Sequence, residues 1–382
     1  MLNSSRAITK PNSNPLPLIT FVLGTRPEAI KLAPVIIKFQ TSCHFRTRVI
    51  STGQHPEMVA SLMNFFNINI EKDLKLMVPN QSLISITSKI IEALEIEFSN
   101  YPPTFLMVQG DTNSALAGAL AGFYSNIPVC HIEAGLRTDN LFEPYPEEAN
   151  RRLISQISSI NYAPTERSRQ NLLKSNVSGD IYLTGNTVID ALLLASKKVK
   201  KLEIPNLNLN NKNLILTTVH RRENWGSKTI DIAKGIKKIL DNFPDTILLL
   251  PMHPNKKVRE PLINILGDHP RAILTKPLDY QELISAIKAC YFLITDSGGL
   301  QEEAPSLGKP VLILRNVTER PEAIEEGTSE LIGTDKNIIF NAASSLLSDS
   351  KKYLSMSKAI NPFGDGKASE KILNHISKVL KI

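Results

Sequence analysis

The sequence predicts an α/β protein made of two doubly wound parallel-sheet domains in series. Short apolar runs alternate with longer helical patterns along the whole chain, the signature of repeated βαβ units. The 382 residues exceed what a single core usually holds. An Asn-rich, proline-containing stretch, residues 201–212, interrupts the alternation and reads as a linker.

Taken in order, residues 1–14 look like a disordered tail and residues 15–200 form the first domain. Its strands are expected near 17–23, 46–51, 104–108, 128–132, 160–163 and 181–184. After the linker, the second domain spans 213–366, with strands near 213–218, 246–250, 271–275, 291–295 and 310–314. A last amphipathic helix, about 368–380, lies in the terminal segment 367–382.

Composition narrows the class. Hydrophobic residues make up 42% and charged residues 21%, which excludes a disordered or fibrous chain. The formal net charge is +7, but no basic stripe interleaves with aromatics, so nucleic acid is not an expected partner. The densest basic run, Lys197-Lys198-Val199-Lys200-Lys201, reads as a solvated surface. Cys43, Cys130 and Cys290 lack paired spacing, and the last two fall in apolar, strand-like segments that suit inert buried thiols. A reducing, cytoplasmic location is expected. The apolar stretch from Pro15 to Leu23 is broken by prolines and follows no concentrated positive charge, so neither a signal peptide nor a membrane span is expected.

In doubly wound sheets, ligands bind beyond the carboxyl ends of strands. Polar residues collect there. The first strand runs into Gly24-Thr25-Arg26-Pro27-Glu28 and a helix carrying Lys31. Arg26 at a helix start suits an anion, or it pairs locally with Glu28. The next ends are Gln109-Gly110-Asp111-Thr112 and His131-Ile132-Glu133-Ala134-Gly135-Leu136-Arg137, followed by Pro146-Glu147-Glu148-Ala149-Asn150-Arg151. Asp111 can cap a helix and Glu147 can sit in a first turn. Glu133, directly after an apolar strand, has no such structural role. Three converging carboxylates suggest proton transfer.

The second domain repeats the logic. His220-Arg221-Arg222-Glu223-Asn224 follows one strand and Asp296-Ser297-Gly298-Gly299-Leu300-Gln301-Glu302-Glu303 another. A Ser-Gly-Gly turn opening a helix offers backbone N–H groups that a diphosphate can approach. Glu303 lies one turn in, placed to accept hydrogen bonds from ribose hydroxyls, and Arg320 adds a guanidinium. There is no G-x-G-x-x-G after the first strand, no Walker A loop and no H-E-x-x-H. His55, His131, His220 and His253 end different elements without metal-ligand spacing, so neither a metal nor a dinucleotide is expected.

These segments, with Thr318-Glu319-Arg320-Pro321-Glu322, resemble the non-hydrolysing UDP-N-acetylglucosamine 2-epimerases, from about residue 17 to the C-terminus. The resemblance implies the glycosyltransferase-B fold: two Rossmann-like domains facing across a cleft, the last helix crossing back to the first. It also implies cofactor-free interconversion of UDP-GlcNAc and UDP-ManNAc for bacterial surface polysaccharide, by a homodimer. Carried over by position, Asp111, Glu133, Glu147 and His220 match catalytic positions. Arg26, Lys31, Arg151, Ser297, Gly298, Gly299, Glu303 and Arg320 match substrate-binding positions, and Leu278 and Leu283 the surroundings of uracil. The sequence departs at Pro56, after Thr52-Gly53-Gln54-His55, where many relatives carry Arg. Some bacterial members have a regulatory substrate site near that loop, and regulation stays open.

The chemistry accounts for the residue set. The C2 hydrogen of GlcNAc is not acidic, but UDP at C1 is a good leaving group. Eliminating UDP with the C2 proton gives 2-acetamidoglucal; a proton then returns to the opposite face and UDP re-adds. That route needs a diphosphate cradle and acid/base groups on both faces of the sugar. A UDP-sugar glycosyltransferase would need the cradle and an acceptor site but not three carboxylates. A hydrolysing 2-epimerase would differ in releasing UDP, and a sugar-nucleotide-binding regulator would need no acid/base set.

Overall fold

The computed structural model describes residues 15–78, 80–138, 140–205 and 207–382; the tail expected over 1–14 lies outside them. The first half contains β1 (Leu18–Leu23), β2 (Arg46–Ser51), β3 (Lys72–Asp73), β4 (Phe105–Gln109), β5 (Val129–Ile132), β6 (Ile160–Ala163) and β7 (Asp180–Leu183). Its helices are α1 (Arg26–Gln40), α2 (Pro56–Phe66), α3 (Leu83–Asn100), α4 (Asn113–Tyr124), α5 (Glu147–Ile157), α6 (Glu166–Lys174) and α7 (Thr187–Lys198). The second half contains β8 (Asn213–Thr218), β9 (Thr246–Pro251), β10 (Ala272–Thr275), β11 (Phe292–Thr295), β12 (Val311–Ile313) and β13 (Ser329–Leu331). Its helices are α8 (Ser227–Asn242), α9 (Lys256–Leu266), α10 (Tyr280–Ala289), α11 (Gly298–Glu303), α12 (Pro321–Glu325), α13 (Lys336–Ser348), α14 (Ser350–Lys358) and α15 (Ala368–Leu380).

The strands form two all-parallel sheets, ordered β3-β2-β1-β4-β5-β6-β7 and β10-β9-β8-β11-β12-β13. Both are doubly wound, so each switches winding direction beside its central strand, between β1 and β4 and between β8 and β11. Both faces of each sheet are covered. Phe21 and Leu23 pack with α1 and α2 on one face of the first sheet, while Val22 and Val108 pack with α3 and α4 on the other. Continuous apolar strands follow from this two-sided burial. The glycosyltransferase-B arrangement of two Rossmann-like units is thus present.

Three details refine the expectation. Edge strands β3 and β13 add to the expected set; the first is two exposed residues and the second three, too short to leave a hydrophobic period. Within the linker stretch, Leu202, Ile204, Leu207 and Leu209 lie partly buried against the second core. Cys290 is the buried C-cap of α10 rather than a strand residue, and burial pushes its thiol up to about 12. Helix α15 seats Ile372 and Ile376 in the core of the first sheet, and its start is tied down by Asp190, which accepts from Ser369 N at 2.8 Å.

Candidate active site

The turn after β1 is built around a buried carboxylate. Glu28 accepts from Gly24 N at 2.9 Å, Thr25 N at 2.7 Å and Thr112 Oγ1 at 2.6 Å. Burial raises its pKa, and these hydrogen bonds oppose the rise. Glu28 therefore closes its own helix start and is not the partner of Arg26. Gly24 is required by packing: a Cβ there would lie 2.2 Å from the Thr52 and Ser114 hydroxyls. Arg26 instead lines a cavity of about 390 Å³ with Phe65, Leu278 and Tyr280. Leu283 packs partly buried against the second core and is not among that cavity's walls.

A second cavity of about 390 Å³ gathers Lys31, His55, Gln109, Asp111, Glu133 and Glu147 at the carboxyl ends of the first sheet. Lys31 Nζ lies 2.6 Å from Glu133 Oε1 and 2.5 Å from Oε2, and Gln109 Nε2 donates to Oε2 at 3.2 Å. Burial disfavours the Lys31 charge, yet Glu133, Glu302 and Asp111 outweigh it and raise the pKa. Glu133 has φ 65°, a left-handed conformation costly for a residue with a Cβ. His131 is structural: its Nε2 meets Gly110 O at 2.7 Å, and burial lowers its pKa to about 4.

Asp111 does not cap α4; Thr112 does, accepting from Ala115 N at 3.0 Å. The Asp111 carboxylate accepts from Arg151 Nε at 2.7 Å, and Asn150 Nδ2 donates to its carbonyl at 2.8 Å. Arg151 is held in turn by Glu148, fully buried, at 3.2 Å. Glu147 is the first residue of α5, as a helix-start residue would be, but its side chain also lines the cavity. Its buried Oε2 has no hydrogen-bond partner among the described residues.

Across the cleft, Asp296 is fully buried at the end of β11. It accepts from His220 Nδ1 at 2.8 Å, Arg221 N at 2.9 Å and Asn224 Nδ2 at 3.0 Å. Burial disfavours the Asp296 charge, but the His220 and backbone hydrogen bonds prevail and lower the pKa. Donation from Nδ1 leaves His220 Nε2 on the half-exposed side of the ring. Ser297 precedes α11 without a side-chain cap, so the first N–H groups of the helix have no capping partner among the described residues. Arg320 lies against that first turn; a Cβ on Gly298 would come 2.7 Å from its Nη1. Its Nε donates to Glu302. Glu303 is buried; burial and Glu302 push its pKa up to about 7, against Lys31 and Arg26.

The two halves are in electrostatic contact: Lys31 senses Glu302, Arg320 senses Glu133, and Glu303 senses Arg26. The structure thus brings Lys31, Asp111, Glu133, Glu147 and Arg151 to one strand-end mouth, with His220, Ser297–Gly299, Glu303 and Arg320 opposite. Sequence reasoning passed over Glu28, Glu148, Asp296 and Glu302 as holders of these groups. Buried acidic residues inside strand-end motifs were the available signal.

A family model described as UDP-N-acetylglucosamine 2-epimerase matches residues 37–377. The UDP-N-acetylglucosamine 2-epimerase of Escherichia coli K12 is 44% identical over 361 residues, covering 92% of this chain and 96% of that protein. That of Campylobacter jejuni is 42% identical over 372 residues, covering 94% and 97%. The crystal structure of the Neisseria meningitidis UDP-GlcNAc 2-epimerase bound to UDP-GlcNAc superposes with a TM-score of 0.83 at 41% identity, covering 94% of this chain and 100% of that one.

Proposed function

Because the chain belongs to the UDP-N-acetylglucosamine 2-epimerase family, we propose that it interconverts UDP-GlcNAc and UDP-ManNAc by elimination and re-addition of UDP. One observation carries this reading. Three carboxylates face a glycine-rich helix start and an Asp-held histidine; two have fixed cationic partners, and the third has none among the described residues. A transferase has no use for that acid/base set.

In the forward direction a carboxylate takes the C2 proton, the C1–O bond breaks, and its electron pair leaves with UDP as C1=C2 forms. The N–H groups opening α11, with Arg26 and Arg320, stabilise the departing diphosphate. His220, its Nδ1 committed to Asp296, presents Nε2 to the leaving oxygen. A proton then reaches C2 from the other face and UDP oxygen re-adds to C1. Lys31 fixes Glu133 and Arg151 fixes Asp111, whereas Glu147 Oε2, unpartnered among the described residues, serves proton exchange. Arg26 and Leu278 border the space assigned to uracil, and buried Glu303 is assigned to the ribose. The halves closing on each other keep the glycal from water.

The reaction requires neither metal nor nicotinamide and serves surface polysaccharide synthesis in the cytoplasm. Exposed Ile96, Phe123, Tyr124 and Leu153, on neighbouring α3, α4 and α5, supply an apolar face for a homodimer. No described helix is long and apolar enough to cross a membrane.

The test is incubation with UDP-GlcNAc in heavy water, read by NMR. UDP-ManNAc should appear carrying deuterium at C2, with or without EDTA and without added NAD. Turnover without C2 exchange ends the elimination mechanism, and release of free ManNAc points instead to the hydrolysing reaction.

A further inference from the structure

Glu302 is 3% exposed, sits one residue before the proposed ribose carboxylate and touches both halves of the molecule. Its Oε2 accepts from Asn186 Nδ2 at 2.7 Å, and its Oε1 accepts from Arg320 Nε. Asn186 lies 116 residues away, in the first half, between β7 and α7. The orientation of its amide is dictated: Oδ1 accepts from Val188 N at 3.1 Å to cap α7, so only the NH₂ can face Glu302. Its backbone N donates to Phe363 O at 2.6 Å in the segment leading to α15, and Asn361 Nδ2 donates to the Glu302 carbonyl at 2.8 Å. A turn of the first half, the α12 start of the second half and the segment leading to α15 therefore meet on Glu302. On its other side the Glu302 carboxylate holds Arg320 beside Gly298.

We infer that Glu302 is a positioning residue: with Asn186 it forms a bridge that sets Arg320 according to how the two halves are placed. The inference rests on the reading of Arg320 as a substrate-binding group. The physical content is donor–acceptor matching. A carboxylate facing an amide NH₂ makes a charge-assisted bond, whereas two carboxylates or two NH₂ groups facing each other in a buried site repel. When the match fails, Glu302 moves off and Arg320 loses the hold that keeps it on the α11 start.

The experiment uses the inverted pair. Asn186→Asp retains the oxygen that caps α7 but turns a carboxylate toward Glu302. Glu302→Gln turns an NH₂ toward the NH₂ of Asn186. The double variant Asn186→Asp/Glu302→Gln restores a matched pair of reversed polarity with the same net charge, and its amide oxygen at position 302 can still accept from Arg320. Each single variant is expected to lose about ten-fold or more in kcat for UDP-GlcNAc with KM within about three-fold, because Arg320 is misplaced when the diphosphate departs. The double variant is expected to regain most of that loss, a coupling that a double-mutant cycle reads directly. Rates are normalised to folded protein by circular dichroism, so a bridge that serves only stability would leave kcat unmoved. Single variants with wild-type kcat, a double variant no better than the worse single, or a double variant that does not fold would each overturn the inference. Wild-type enzyme without epimerase turnover would instead sink the functional reading.

Discussion

Glu303 gives the sharpest test of how this cleft trades stability for ligand capture. Its carboxyl is pushed from 4.5 up to about 7, first by burial and then by Glu302, against Lys31 and Arg26. Between those two values the native protein binds more protons than the unfolded chain, so stability falls as pH rises through the window. The penalty is absent below about pH 4.5 and complete above about pH 7; a rise of that size corresponds to about 3 kcal/mol at most. Glu303→Gln carries no charge and escapes it. Its stability relative to wild type should grow from near zero at pH 4.5 to as much as about 3 kcal/mol at pH 8. Urea unfolding followed by the single tryptophan, Trp225 in the second half, measures this. The same variant should bind UDP more weakly by about 1.5–3 kcal/mol, because the ribose loses hydrogen bonds to a charged acceptor. A stability gain that does not vary with pH would refute the burial argument. Unchanged UDP affinity by calorimetry would remove Glu303 from the ribose site.

Asp111→Asn, Glu133→Gln and Glu147→Gln should each lower kcat by about 10²–10⁴, the span of one general acid or base, while calorimetry finds UDP affinity changed far less. Asp296→Asn should lower kcat by about 10–10² with the fold retained in circular dichroism, since its NH₂ would face His220 Nδ1 and force the other tautomer. Gly298→Ala should keep its thermal midpoint within a few degrees, because the added methyl meets only the far end of the Arg320 side chain at 2.7 Å. Its kcat should nevertheless fall by about ten-fold as that guanidinium is displaced.

The strands that build the core were legible because two-sided burial leaves unbroken apolar runs, as in Leu18–Leu23 and Thr246–Pro251. The exposed Lys72–Asp73 edge was not, since nothing in its side chains records pairing with β2. Strand-end residues with cleft-facing side chains, such as Lys31, Glu133 and Arg320, were readable from their motifs. Residues that hold them were harder to find. Asp296 reaches His220 across 76 positions and Asn186 reaches Glu302 across 116, and no local period encodes either meeting. Asp111 and Glu147 each had an available local role. Structure separated the two cases: Thr112 took the cap that Asp111 could have filled, whereas Glu147 keeps its helix-start place and lines the cavity as well.

The pairing pattern bears on how the proposed elimination is driven. Lys31, Arg151 and Arg320 each face a carboxylate, in Glu133, Asp111 and Glu302. A diphosphate entering this site therefore finds its strongest cations already engaged. Initial capture then falls to the uncapped N–H groups of α11 and to Arg26, for which no carboxylate partner occurs among the described residues. Paired cations contribute most when charge moves. As the C1–O bond breaks, negative charge grows on the leaving oxygen beside His220 and Arg320, and a carboxylate on the sugar side gains a proton and loses its charge. A lysine or arginine facing that neutralised carboxyl is less committed to it and stabilises the transition state more than the ground state. Electrostatics of this kind favour the departing UDP without tightening the resting complex, which a reversible epimerase must release from either side.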